Sequence, residues 1–324
     1  MSTMSLTEKV ILVHLTVTRW TARKRDKAIS QEINLQKGVD AGMGRYYKDL
    51  LKSSALDDYS RLSGEVRTYF YSVTLPWHYD GAALLPVDLY DAFTKRMAAY
   101  KQQADDLAAK FVATYDEARE AARENLGTAF DARDYPPAAT IARKFSMSVN
   151  FQPLADPNDL RIKLSDDEVT SLRSSMSETI ESSVLTAMRS TWERLHTSVS
   201  RMAEKLSTED AIFRDSLVGN LSDLLDLLPK LNVTGDKRMD VLVAEARDKL
   251  CRHEPDVLRE DAAVRSEVAG DAASILSTIE QYVGKIDMSD EDRAHYSASE
   301  SSSEPASKKP ASKKPASTSA KKKK

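Results

Sequence analysis

The cysteine and histidine residues are the natural place to look for chemistry, and their spacing does not favour it. Cys251 is the only cysteine in the sequence, and His253 follows two residues later. Residues i and i+2 of a helix do not face each other, so these two side chains would not form a nucleophile and its base. The other four histidines lack the spacing of metal ligands and are His14, His78, His196 and His295. We therefore expect no metal site and no cysteine nucleophile.

Acidic pairs and glycine-rich loops offer no better candidate. Asp57-Asp58, Asp105-Asp106 and Asp166-Asp167 lie on predicted solvated faces or helix caps, whereas a catalytic carboxylate needs a buried or apolar site. The 324 residues include only 10 glycines, and the motifs GxxxxGK[ST], GxGxxG and HExxH do not occur. The sequence thus predicts a protein that is not an enzyme, without catalytic, cofactor-binding or metal-binding residues.

A cluster of cations around one aromatic residue follows the first predicted strand. Its members are Arg19, Trp20, Arg23, Lys24 and Arg25. Cations interleaved with an aromatic ring are typical of nucleic-acid contacts, where a base stacks and phosphates bind the cations. These five residues are candidate nucleic-acid contacts. The alternative is a solvated helix start with the Trp20 ring in the core.

A second cluster combines an arginine with a dense run of aromatic residues. Its candidate partner surface consists of Arg67, Tyr69, Tyr71, Trp77 and Tyr79. Aromatic side chains supply large contact areas at protein interfaces, so these residues are candidates for a stacking platform or a partner groove. The alternative is that they cover a core beneath a loop.

The C-terminal segment from Pro305 is basic and repetitive. It has no acidic residue, and its eight lysines are Lys308, Lys309, Lys313, Lys314, Lys321, Lys322, Lys323 and Lys324. Without them, 39 basic residues remain against 50 acidic ones, a charge of about −11, although the whole chain carries −3. Too few apolar side chains are present for packing, which predicts a disordered tail over residues 289–324. The lysines are candidate phosphate contacts; the alternatives are a solubilising extension or an arm on the acidic body.

Hydrophobic periodicity predicts a mainly α fold (α+β) with a long antiparallel helical hairpin. Apolar residues recur about every 3.6 positions near 87–126 and 166–206, and we expect these two helices to pack together. Strict alternation predicts strands at 10–19, 145–152 and 159–164. The last two would form a hairpin with the first as a third strand, giving a small antiparallel sheet of two or three strands.

The same patterns predict one mostly helical body over residues 1–288, followed by the tail. Shorter helical patterns occupy residues 22–35 and 46–71. One cysteine indicates a reducing compartment, and no apolar run approaches the roughly 20 residues of a membrane span. A targeting segment is not visible. We therefore expect a cytoplasmic protein without membrane contact.

Three stretches carry a family resemblance. They are Trp20-Thr-Ala-Arg-Lys, Arg67-Thr-Tyr-Phe-Tyr-Ser-Val-Thr-Leu-Pro-Trp77 with Gly81 and Leu84-Leu-Pro86, and Phe213-Arg-Asp-Ser-Leu217 with Leu227-Leu-Pro-Lys-Leu-Asn232. Over about residues 8–285 the chain resembles phage and prophage proteins of unknown function. Their genes are often neighbours of a MoxR-like or cobaltochelatase-like AAA+ ATPase gene.

The resemblance implies a phage-encoded, non-enzymatic accessory or assembly protein in the host cell cytoplasm. It would act through helical protein-protein contacts, with another copy of itself or an AAA+ ATPase as its partner. The resemblance supplies no catalytic residues. The alternative function is non-specific binding of nucleic acid through the basic tail.

Overall fold

The computed structural model describes residues 6–40, 42–78, 81–160, 162–208 and 213–283. These residues belong to one compact unit. Helices contain 68% of them, which confirms a mainly α fold with a small antiparallel sheet. The predicted body boundary at residue 288 and the predicted disordered tail lie outside the described residues.

The strands and helices of the described residues alternate along the first half of the chain, and helices follow. The strands are β1 (Val10–Thr18), β2 (Arg23–Asp26), β3 (Tyr46–Asp49), β4 (Leu75–Pro76), β5 (Ala82–Pro86) and β6 (Ser146–Pro153). The helices are α1 (Leu6–Lys9), α2 (Lys27–Lys37), α3 (Ser54–Val73), α4 (Tyr90–Ala113), α5 (Tyr115–Leu126), α6 (Ala138–Ala142), α7 (Asp166–Ser207), α8 (Ser216–Leu231), α9 (Lys237–Leu250), α10 (Pro255–Glu260) and α11 (Ala262–Val283).

The main sheet has the antiparallel order β4-β5-β1-β6. Strand β1 lies inside it, with Leu12 opposite Leu84 on one side and opposite Gln152 on the other. The strands predicted at 10–19 and 145–152 are therefore confirmed. Strand β5 is buried along its whole length, and its continuous apolar sequence shows no alternation because neither face meets water.

The strand predicted at 159–164 is wrong for the described residues of this segment, since none of them is in a strand. Two contacts lead the chain away from β6. Asp156 accepts a hydrogen bond from the Asn158 amide at 2.8 Å, which closes a local turn. Arg173 Nε of α7 then donates to the Pro157 carbonyl at 3.1 Å. The segment is thereby held against α7, so the predicted hairpin does not form.

A two-stranded ribbon of β2 and β3 occupies positions where the sequence predicted only helix. The strands pair antiparallel, with Lys24 opposite Lys48. Helix α2 begins at Lys27, because Asp26 caps it by accepting from the Ile29 amide at 3.1 Å. Helix α3 begins only at Ser54. Four-residue strands are too short to show a period that differs clearly from that of a helix.

The two long helical patterns exist, but their predicted pairing with each other is wrong. The first is divided at Thr114 into α4 and α5. Helix α4 packs against α3. The Phe70 ring lies 6.1 Å from that of Phe93, and the Tyr69 ring lies 5.8 Å from that of Tyr100.

Helix α7 instead packs against α11. The rings of Trp192 and Tyr282 lie 5.7 Å apart, and His196 Nε2 is 3.6 Å from a carboxylate oxygen of Glu280. The residue number of the contact increases along α7 while that of its partner decreases along α11. The two helices are therefore antiparallel. An amphipathic stripe identifies the face that a helix buries, but it does not say which other helix covers that face.

Replacement of Trp192 with alanine is expected to destabilise the protein by about 3–5 kcal/mol, since the side chain is 1% exposed within this seam. Urea denaturation followed by circular dichroism measures the free energy of unfolding. Leu185→Ala is the control on the same helix, because Leu185 is 53% exposed. A loss below about 1 kcal/mol for Trp192→Ala would contradict a buried seam.

Candidate interaction site

The aromatic member of the first cation cluster lies against the core. The half-buried Trp20 ring is 6.1 Å from the Phe111 ring and 5.7 Å from the Tyr115 ring. Tyr115 is itself fixed, since its hydroxyl donates to the Pro136 carbonyl at 2.8 Å. The indole of Trp20 thus packs against the core, which is the alternative that the sequence left open for this cluster.

The cations of the same cluster lie in different surroundings. Arg23 Nε forms an ion pair with Asp49 at 3.0 Å, and Lys24 forms an ion pair with Asp134. Arg19 is exposed. Arg25 is half-buried, and its Nε is buried without a hydrogen bond to any described residue. Two of the four cations are therefore matched by carboxylates, which weakens the positive field that a phosphate would meet.

A buried ionic cluster, which the sequence did not reveal, lies beneath these cations. Lys48 is 6% exposed, and its Nζ is 3.0 Å from Asp134, 3.5 Å from Asp26 and 2.6 Å from the Ala129 carbonyl. Asp134 also pairs with Lys24, which stands opposite Lys48 on the ribbon. Two lysines facing each other would repel, and the Asp134 carboxylate between them removes that repulsion.

The protonation of this cluster follows from its contacts. Burial alone would lower the pKa of Lys48, but hydrogen bonding and charge from Asp134, with the charge of Asp26, raise the pKa above its ordinary value. The Ile29 amide and the Lys48 charge hold the pKa of Asp26 below its ordinary value. Lys48 is therefore a charged ammonium with three acceptors around it. Such a group anchors the ribbon to the segment that contains Ala129 and Asp134. A charged ammonium is also unsuited to act as a base.

The second cluster does not form one exposed aromatic surface. Tyr69 is half-buried, with its ring 6.2 Å from that of Phe93, and Trp77 is 8% exposed. Tyr71 is 62% exposed. Arg67 is exposed, and its guanidinium donates to the Val17 carbonyl at 3.3 Å. Tyr79 lies outside the described residues. Among the described members, only Arg67 and Tyr71 are open to a partner.

This second cluster surrounds the contact that joins α7 to the end of α3. The guanidinium of Arg194 donates to three carbonyls at the end of α3: Ser72 at 2.8 Å, Tyr71 at 3.0 Å and Thr74 at 2.7 Å. The last carbonyls of a helix have no partner within it, and their dipoles attract a cation. Thr74, the first residue of the Thr-Leu-Pro-Trp77 stretch, is thus part of the junction at which Arg194 caps the end of α3.

A serine–histidine pair forms a second contact between α7 and this junction. Ser183 Oγ lies 2.5 Å from His78 Nδ1 and also donates to the Thr179 carbonyl at 2.7 Å. Burial lowers the pKa of His78, which favours the neutral imidazole. Because the hydroxyl proton is engaged by Thr179 and Ser183 is 4% exposed, the pair is arranged to hold α7 and not to attack a substrate.

The N-terminal half of α7 differs from the rest of the helix. The buried residues of α7 all lie at Ser183 or beyond, so residues 166–182 contain no buried residue. This half nevertheless continues the apolar stripe, through Val169, Leu172, Met176 and Ile180. We call residues 166–182 the open half of α7. It is the longest helical surface of the described chain that has an apolar stripe without a buried side chain.

The described residues give little support to metal binding, thiol chemistry or a membrane span. No group of three or more His, Cys, Asp or Glu side chains there could hold a metal ion. Burial raises the pKa of the Cys251 thiol, which disfavours the reactive thiolate. None of the described helices is both long enough and apolar enough to span a membrane.

Comparison with known families places the chain in a family of uncharacterised proteins. Residues 7–226 match the profile of a family described as "Protein of unknown function (DUF3150)". The match spans more than half of the chain, so the chain belongs to this family. It ends within α8 and is shorter than the resemblance expected over 8–285. No curated protein and no solved structure matches the chain.

Replacement of Arg194 with alanine is expected to lower the free energy of unfolding by about 2 kcal/mol, because three carbonyls lose a charged donor. Arg194→Lys keeps the charge but not the forked geometry, and its loss should lie between zero and that of alanine. Urea denaturation measures each change.

Arg201→Ala is the matched control, since Arg201 is an exposed arginine of the same helix. Its effect should stay within about 0.5 kcal/mol. Equal losses for the two alanine variants would mean that the junction contributes no specific stability.

Proposed function

We propose that the protein is a non-enzymatic accessory protein that assembles with a partner protein through the open half of α7. The observation that carries this proposal is an apolar stripe with no buried residue over 166–182. Leu172 is 36% exposed at its middle, and Val169, Met176 and Ile180 are half-buried. Val169, Leu172, Met176 and Ile180 are spaced by three, four and four residues, so they lie on one face of the helix.

The lengths of the two paired helices explain why α11 does not cover this face. Helix α7 has 42 residues and α11 has 22. At 1.5 Å per residue these helices span about 63 Å and 33 Å. Because α11 pairs with α7 at Trp192 and His196, it covers the C-terminal half. About 25 Å of stripe over residues 166–182 then remains open for a helix of another protein.

The charges around the stripe indicate the chemistry of that partner. The open half contains five acidic residues (Asp166, Asp167, Glu168, Glu178 and Glu181). Its single basic residue is Arg173, which is directed to the Pro157 carbonyl. With five acidic residues against one basic residue, the segment is negatively charged, which favours an amphipathic partner helix that carries basic residues.

The identity of the partner rests on the family resemblance. Phage proteins that this chain resembles are often encoded beside a MoxR-like or cobaltochelatase-like AAA+ ATPase, and we take such an ATPase as the partner. The protein would then be phage-encoded and would act in the host cell cytoplasm. The single cysteine supports a reducing compartment.

The test is co-purification of the full chain with a MoxR-like or cobaltochelatase-like AAA+ ATPase. The variant Leu172→Glu/Met176→Glu places two charges in the stripe, and binding should weaken at least about tenfold. The control Ser171→Glu/Ser174→Glu adds the same charges on the opposite face, where both serines are exposed, and should bind normally. Equal binding by both variants would contradict the proposal, as would no binding by the unaltered chain.

A second candidate function is non-specific binding of nucleic acid, which the eight tail lysines favour. A flexible polycation follows a phosphate backbone without reading bases. If all eight lysines contacted phosphates of a duplex, log K would fall with log salt at a slope of about −7. The acidic body, at about −11, should oppose binding and make the slope smaller.

Deletion of residues 305–324 tests this second function. Duplex binding at low salt should be lost in the truncated chain if the tail lysines carry it, while the ATPase interaction should persist. Equal DNA binding by full-length and truncated protein would contradict a role for the tail. Electrophoretic shifts at several salt concentrations measure both affinity and slope.

A further inference from the structure

Strand β6 has one edge that no described residue covers. Its other edge pairs with β1 over the whole strand, from Ser146 to Pro153. Beyond that ladder, no backbone amide or carbonyl of Ser146–Gln152 forms a hydrogen bond with a described residue. The open edge therefore presents a row of unpaired backbone donors and acceptors, which is a template for another strand.

The sequence of β6 does little to prevent such pairing. Edge strands are usually protected by charged side chains, proline or bulges. Ser146–Gln152 contains no charged residue and no proline, and Pro153 interrupts the edge only at its end. One face of β6 presents only uncharged polar side chains at Ser146, Ser148, Asn150 and Gln152, all exposed. A strand lying beside Ser146–Gln152 would meet no charged side chain and no proline of β6.

The residues that flank β6 favour one kind of partner. Arg143 and Lys144 precede the strand, and Asp156 follows it; all three are exposed. When two copies of one strand pair antiparallel, the beginning of each lies beside the end of the other. The basic end of one copy would then meet the acidic end of its partner. A parallel arrangement would instead place like charges together.

An apolar contact lies beside the same edge. The Phe151 ring is 36% exposed and the Tyr90 ring of α4 lies 5.4 Å from it, with Tyr90 39% exposed. Helix α4 covers this face of β6. Two copies joined at β6 would bring these aromatic rings next to their counterparts, which adds buried apolar area to the backbone hydrogen bonds.

From these observations we infer that β6 is a self-association edge, at which a second copy of this chain adds its own β6 antiparallel to form a continuous sheet. This surface is distinct from the open half of α7, so it does not depend on the proposed function. The protein would have two separate binding surfaces, one for its own copy and one for its partner.

The test uses the full chain in sedimentation equilibrium over a range of concentrations. Unaltered protein should form a dimer. Ser148→Lys/Asn150→Lys places lysines on both paired edges, where like charges lie opposite or diagonal to each other, and should weaken the dimer at least about tenfold. The control Thr16→Lys/Thr18→Lys adds the same charges one strand away, on exposed residues of β1, and should dimerise normally.

A charge exchange tests the antiparallel direction and guards against misfolding. Lys144→Glu should weaken the dimer, and the combined variant Lys144→Glu/Asp156→Lys should restore it, because the paired ends exchange their signs. Circular dichroism verifies that each variant keeps its helices. A monomer at every concentration would overturn the inference. That result would follow if the chain's own tail occupied the edge of β6. A dimer unaffected by the β6 lysines, or failure of the exchange to restore it, overturns it as well.

Discussion

The guanidinium group of Arg194 is the contact on which the arrangement of the described helices depends. It comes from α7, yet its three acceptors are carbonyls at the end of α3, which packs against α4. One side chain thereby completes the C-terminus of one helical pair and fixes the position of another. The His78–Ser183 contact lies on the same side of α7 and limits its rotation. The direction of the open half follows from these two contacts.

The candidate site residues show how much of their role depends on distant partners. Lys24 and Arg23 were recognisable as cations, but Asp134 and Asp49, which pair with them, lie 110 and 26 positions away. Lys48 gave no signal at all, because a lysine at this position of the predicted helix over 46–71 is typical of a solvated face. Its burial is tolerated only since Asp134, Asp26 and the Ala129 carbonyl surround it. A local pattern contains none of this information.

The fold divides in the same way between local and distant information. The period of the apolar residues located α7, and strict alternation located β1 and β6. Each of these signals is contained in a single element. The pairing of α7 with α11 is not, nor is the burial of β5 on both faces, which removes its alternation. The segment at 159–164 alternates like a strand, but Arg173 and the Asp156 turn direct it elsewhere.

The open half of α7 and the edge of β6 share one physical origin. In each case a regular element has a surface that its described neighbours do not pair with. Helix α7 is longer than α11, and β6 is the last strand of its sheet. The stripe from Val169 to Leu206 has the same spacing in its open and its buried part, so spacing alone does not distinguish them. Composition does: five acidic residues crowd the open half, whereas small residues such as Ala187 and Ser190 are buried beyond it. The negative charge of the open half thus coincides with the part of α7 that α11 does not reach.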